Sequence, residues 1–118
     1  KLKLGNINST RDWGHAQDYV KAMWMMMQQN QPGDYVIGTG KEHTVENFAK
    51  KAFAHVGLNY KDYVVIDKNL IRPAEVDNLL ADYNKAKKEL KWEPKISFED
   101  LVTSMVESDL EIVTNLKY

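Results

Sequence analysis

Two arginine-centred clusters lie about sixty residues apart in this chain. The first runs Arg11-Asp12-Trp13-Gly14-His15-Ala16, and the second runs Arg72-Pro73-Ala74-Glu75-Val76-Asp77. Two guanidiniums facing one cleft can hold a diphosphate through forked, charge-assisted hydrogen bonds. A carboxylate at Glu75 can accept from neighbouring sugar hydroxyls, so the chemistry in outline is nucleotide-sugar recognition. Each cluster also has a structural reading. Arg11 with Asp12 can be an ion pair beside a core tryptophan. Arg72 with Glu75 can be a local surface pair worth about 0–1 kcal/mol. The second cluster falls in a long loop, where binding residues concentrate, and Pro73 stiffens the backbone between its two charges.

Little else in the chain suggests chemistry. No Ser/His/Asp set is apparent and no carboxylate pair has diagnostic spacing, so no catalytic residue is assigned. His15, His43 and His55 lack the spacing of metal ligands, so no metal site is expected, and His15 reads as a hydrogen-bonded structural residue. Gly38-Thr39-Gly40 could cradle phosphate ahead of a helix, but it lacks the spacing of a Walker or dinucleotide loop, and a tight turn is the default. The formal net charge is −1, which gives no global field for nucleic acid or acidic membranes. Lys85-Ala86-Lys87-Lys88 reads as a solvated helix face. No apolar run is long enough to span a bilayer. The chain has no cysteine, which excludes disulfides and thiolate ligands and fits a reducing compartment.

The elements that must position these residues follow from periodicity and caps. At 118 residues the chain suits one compact domain. Leu2 and Leu4 alternate with lysines as a short strand. A polar loop and an extended stretch precede a helix from Ala16 to Gln29, whose Tyr19, Val20, Met23, Trp24 and Met27 recur at helical steps. The methionine-rich run predicts a helix covered on more than one face, by core or by an adjacent domain. Tyr35-Val36-Ile37-Gly38 reads as a short buried strand. Thr44 caps a helix that turns Val45, Phe48, Ala49, Ala52, Phe53 and Val56 to one side and stops at Gly57. Tyr63 to Ile66 is a further strand candidate, and 67–82 is mostly loop. Asp82 is placed to cap a short helix, Lys85 to Leu90. Ser97 opens a final helix in a capping-box pattern with Asp100 in place of Glu. The tail from Thr114 is expected to fray. The fold class is thus α/β (α+β as an isolated piece), with about four helices and two or three short strands. So few strands suggest a missing partner layer. The start, Lys1-Leu2-Lys3-Leu4, lacks both an initiator methionine and an apolar signal core, and reads as part of a longer polypeptide.

With these motifs in place, the chain resembles the C-terminal third of the GDP-mannose 4,6-dehydratases, a family of extended short-chain dehydrogenase/reductases. The resemblance is carried by Leu4-Gly5-Asn6, by Arg11-Asp12-Trp13-Gly14-His15-Ala16 with Asp18-Tyr19-Val20 and Ala22-Met23-Trp24, and by Asp34-Tyr35-Val36-Ile37-Gly38-Thr39-Gly40 with His43. Tyr63 to Asp67, Arg72 to Asp77, and Lys85-Ala86 through Leu90, Trp92 and Pro94 complete it. It spans Leu4 to Val113. It implies that Arg11 and Arg72 contact the diphosphate of GDP-mannose, that Glu75 binds ribose hydroxyls, and that Asn6 lies near the nucleotide. Asp12, His15 and Asp18 would fix the loop and the helix start. The family oxidises the sugar at C4, eliminates water across C5 and C6, and returns the hydride at C6, with NADP held throughout. The glycine-rich Rossmann loop and Tyr-x-x-x-Lys pair for those steps lie upstream in the family. Tyr83 and Lys87 share that spacing but fall in the wrong block, and are read as coincidence. The resemblance therefore implies a substrate-recognition portion of a cytoplasmic lyase of GDP-fucose biosynthesis, inactive alone. An NADP-binding Rossmann portion would be its partner, and the complete enzyme would be a homo-oligomer. Alternatives are a non-catalytic nucleotide-sugar-binding module, an epimerase or dehydratase of another nucleotide sugar, and an oligomerising domain built on the Met23–Met27 helix.

Overall fold

The computed structural model describes residues 1–116. Its element order is β1 (Leu2–Leu4), β2 (Thr10–Arg11), α1 (Ala16–Met27), β3 (His43–Thr44), α2 (Val45–His55), β4 (Val64–Ile66), α3 (Asn84–Glu89) and α4 (Phe98–Asn115), with single 3₁₀ turns at Tyr60–Asp62 and Lys68–Leu70. The α/β reading therefore holds. The strands form two minimal sheets. β1 pairs in parallel with β4, Leu2 opposite Val64, and β2 pairs antiparallel with β3, Arg11 opposite His43.

Caps set the helix starts. His15 Nδ1 accepts from Gln17 N at 3.0 Å to open α1. Thr44 Oγ1 accepts from Asn47 N at 3.0 Å to open α2, and Ser97 Oγ accepts from Asp100 N at 3.1 Å to open α4. α2 ends in a Schellman motif: Leu58 N donates to Phe53 O at 2.9 Å and Gly57 N to Ala54 O at 3.0 Å. The motif requires a left-handed residue, and Gly57 supplies it at φ 74°. α3 starts at Asn84, one residue ahead of the predicted start, and its N-cap is Tyr83 without a side-chain cap bond, so the expected Asp82 cap is not formed; Asp82 Oδ1 accepts from Asn84 N at 3.0 Å in a local turn.

Two packing centres carry the molecule. One gathers Ala22, Ala86, Leu90 and Trp92, bordered by Tyr19, Met25, Met26, Tyr35, Ile37 and Tyr83. Lys91, in the left-handed region at φ 59°, turns the chain after α3 and brings Trp92 back into this centre. The other is aromatic: Trp13 lies 5.3 Å from Phe48 and 6.0 Å from Phe98, and His43 stacks on Phe98 at 3.8 Å. Asp18 joins the two. Its buried carboxylate accepts from Lys95 N and Ile96 N, each at 3.0 Å, while its backbone oxygen accepts from Trp92 Nε1 at 2.9 Å.

Several expectations are corrected. Tyr35 to Gly38 forms no strand, because no neighbouring segment offers its ladder of hydrogen bonds; Tyr35 and Ile37 pack inward while Val36 stays exposed. Within this chain α1 is covered on one side, and any second cover would have to come from outside the described residues. Ala22 is fully buried, whereas Trp24 is 62% and Met27 81% exposed, and Val20 and Met23 share that open stripe. The helix ends at Met27, two residues short of the predicted Gln29. α4 continues through Asn115 rather than fraying from Thr114, and positions 117–118 of the expected tail lie outside the described residues. No helix among the described residues is long and apolar enough to cross a membrane.

Candidate functional site

Backbone pairing brings the two arginine clusters together. Thr10 N donates to Asp77 O at 2.8 Å, and Leu79 N donates to Thr10 O at 3.3 Å. The side chains of Thr10 and Asn78 meet at 2.7 Å. β2 thus lies along the downstream end of the Arg72-to-Asp77 segment. Arg11 then reaches back into that segment. Its Nη2 donates to Glu75 Oε1 at 3.3 Å, and its Nη1 donates to Thr10 O at 2.7 Å and to Asp77 O at 3.4 Å.

The structure thus pairs Arg11 with Glu75, across the two clusters, rather than with Asp12 or within Arg72–Glu75. Both partners keep about a quarter of their side-chain surface exposed, 25% and 23%. Arg72 is exposed and has no hydrogen-bond or ion-pair partner among the described residues. Arg11 lines an open depression of about 560 Å³ with Asp12, Trp13, Leu79, Leu80 and Ala81, whose lining does not include Arg72 or Glu75. Asn6 uses its Oδ1 locally, accepting from Asn8 N at 3.0 Å, so it shapes the loop between β1 and β2.

Asp12 fixes a loop, as the resemblance implies, through partners that sequence reasoning did not name. Its carboxylate accepts from Thr39 N at 2.9 Å, Gly40 N at 2.9 Å, Ala81 N at 3.2 Å and the Thr39 hydroxyl. The Gly38-Thr39-Gly40 turn is therefore an anion nest already filled by the protein's own carboxylate. Nor can α2 offer its first amides to a phosphate. Val45 N donates to Ser9 O at 3.1 Å, Glu46 N to Ile7 O at 2.9 Å, and Asn47 N to the Thr44 cap. The phosphate-cradle reading of this turn is excluded.

The remaining candidates settle into structure. His15 caps α1 as expected of a hydrogen-bonded structural residue. Tyr83 packs edge-on against Trp92 at 5.6 Å, which places it in the core beside α3. Burial chiefly, with the nearby charges of Asp12 and Asp18, pushes the Tyr19 hydroxyl above its ordinary pKa and keeps it neutral. Among the described residues no group of three or more potential metal-ligating side chains comes together.

The family model for GDP-mannose 4,6 dehydratase matches residues 1–105. The chain is 56% identical over 117 residues to GDP-mannose 4,6 dehydratase 1 of Arabidopsis thaliana, covering 99% of this chain and 32% of that protein. It is 42% identical over 129 residues to the Homo sapiens GDP-mannose 4,6 dehydratase, covering 95% and 35%. Among solved structures, UDP-glucose 4-epimerase from Thermotoga maritima, crystallised with UDP-glucose, superposes with a TM-score of 0.85 at 28% identity, covering 96% of this chain and 36% of that one. The dTDP-glucose 4,6-dehydratase of Bacillus anthracis, in complex with NAD, gives 0.82 at 25% identity, covering 94% and 34%. The chain spans about a third of the length of the curated relatives it matches.

Proposed function

The chain belongs to the GDP-mannose 4,6-dehydratase family, and from that premise we propose that it is the substrate-recognition portion of an enzyme converting GDP-mannose to GDP-4-keto-6-deoxymannose. Arg11 and Arg72 hold the diphosphate, Glu75 accepts from ribose hydroxyls, and Asn6 borders the nucleotide. One observation carries this reading: Arg11 reaches Glu75 across about sixty residues of sequence, joining the two clusters in one place. The filled nest at Asp12 adds to it, because it leaves forked guanidiniums as the available anion ligands.

NADP would supply the hydride chemistry when bound, but this chain's residues do not fit it. Its one Gly-x-Gly turn is closed on Asp12. We assign NADP to an N-terminal Rossmann portion of the same enzyme, against which the exposed Val20-Met23-Trp24-Met27 stripe and the 35–37 segment would pack. The complete enzyme would be a homo-oligomeric, cytoplasmic lyase that supplies GDP-fucose biosynthesis, and the 118-residue chain alone would be inactive. The 28% and 25% identities to the UDP- and dTDP-sugar enzymes, against 56% to a GDP-mannose dehydratase, favour GDP-mannose over another nucleotide sugar.

Calorimetry on a full-length enzyme carrying this segment tests the site. Arg72→Ala is expected to weaken GDP-mannose binding by about 1.5–3 kcal/mol, the range for a hydrogen bond to a charged group. Unchanged affinity would remove Arg72 from the site. The purified 118-residue chain with added NADP should form no 4-keto product, and detection of that product would overturn the division of labour.

A further inference from the structure

We propose that Glu75 is a built-in surrogate for the substrate's diphosphate, occupying Arg11 in the free site and leaving when the diphosphate arrives; this rests on the diphosphate reading above. In the free chain, Arg11 Nη2 is already engaged, at 3.3 Å from Glu75 Oε1. Its Nη1 is held inward by Thr10 O and Asp77 O. A diphosphate oxygen seated on Nη2 would bring further negative charge beside the Glu75 carboxylate. Both groups are partly desolvated, where like-charge repulsion is stronger than in bulk water. The two anions therefore compete for one guanidinium edge.

The loop is built so that this exchange has a consequence. Residues 72–76 lie between the turn that ends with Ile71 N donating to Lys68 O and the tether at Asp77, Asn78 and Leu79. Within that span, among the described residues, the one hydrogen bond to another part of the chain is Glu75 to Arg11. Breaking it releases the carboxylate for sugar hydroxyls. It also frees the Pro73–Ala74 turn to carry the exposed Arg72 toward the newly bound phosphates. Diphosphate and ribose recognition are then linked, because occupying the first contact supplies the second.

Inorganic pyrophosphate isolates the diphosphate half of the ligand. In a full-length enzyme carrying this segment, Glu75→Gln should bind pyrophosphate about three- to fivefold tighter than wild type, because a competitor for Arg11 of ion-pair strength is gone. GDP should gain less than pyrophosphate, or lose affinity, because the ribose acceptor is weakened. Glu75→Ala should move pyrophosphate the same way, and circular dichroism establishes that each variant is folded. Pyrophosphate affinity unchanged or weakened in the folded variants overturns the surrogate role. If wild type binds neither pyrophosphate nor GDP, or if Arg11→Ala leaves GDP binding intact, the diphosphate reading itself fails, a different result from the first.

Discussion

Arg11 and Asp12 are neighbours in sequence with separate partners in the fold. The two adjacent charges make no pair with each other, and each finds a distant partner. Arg11 turns to Glu75, and Asp12 closes on Thr39, Gly40 and Ala81. Sequence reading finds the charged residues but not this partition, because the partners lie 27 to 69 positions away and no local pattern marks them. The clamp has a measurable cost of removal. Asp12→Ala strands three backbone amides and a hydroxyl, and urea denaturation of this chain should show a loss of about 3 kcal/mol or more. Asp12→Asn keeps a carbonyl acceptor and should recover part of that loss. Equal stability of all three forms would mean the clamp contributes nothing.

At the level of elements, what was legible was local. Thr44, Ser97 and Gly57 mark helix ends by chemistry contained within a few residues, and all three act as expected. Tyr35 to Ile37 has strand-like composition but no strand, because pairing needs a partner that sequence alone does not place. The anchor of α2 to the following 3₁₀ turn was likewise invisible. The Tyr60 hydroxyl donates to Glu46 in the first turn of α2. That hydrogen bond chiefly, with burial and the carboxylate's charge, raises the Tyr60 pKa above its ordinary value of 10.0. A group whose folded pKa is raised adds stability that is fully present below its unfolded pKa and lost as pH rises through the folded one. The stability gap between wild type and Tyr60→Phe should therefore stay constant through neutral pH and close above about pH 10. A gap that widens in alkali would refute the pairing. Ser97→Ala offers a simpler check, with an expected loss of about 1 kcal/mol from an unpaired α4 amide, read as a lower melting temperature.

For the whole molecule, the question is what covers α1. Its periodicity announced an apolar helix, but not which residues would be inside. The packing centre takes Ala22, with Ala86, Leu90 and Trp92, while Met23, Trp24 and Met27 are left in solvent. The small Ala22 is the α1 residue taken fully into this centre, and the larger apolar side chains on the other side of the helix stay outside it. An apolar stripe with Trp24 62% and Met27 81% exposed is an unusual outer surface for a finished fold. It fits a chain that spans about a third of its relatives' length. Under the proposal that a Rossmann portion packs here, Trp24→Lys separates the two settings. In the 118-residue chain the substitution touches little, so stability should change by no more than about 0.5 kcal/mol while binding of an apolar dye falls. In a full-length enzyme the same lysine would enter a packed interface without its counter-charge, and unfolding should become easier by about 2 kcal/mol or more, with dehydratase activity lost in step. Equal, small effects in both would leave this face solvent-exposed in the enzyme and direct the search for the docking surface to the apolar groove between α2 and α4, lined by Phe53, Val56, Leu110 and Val113.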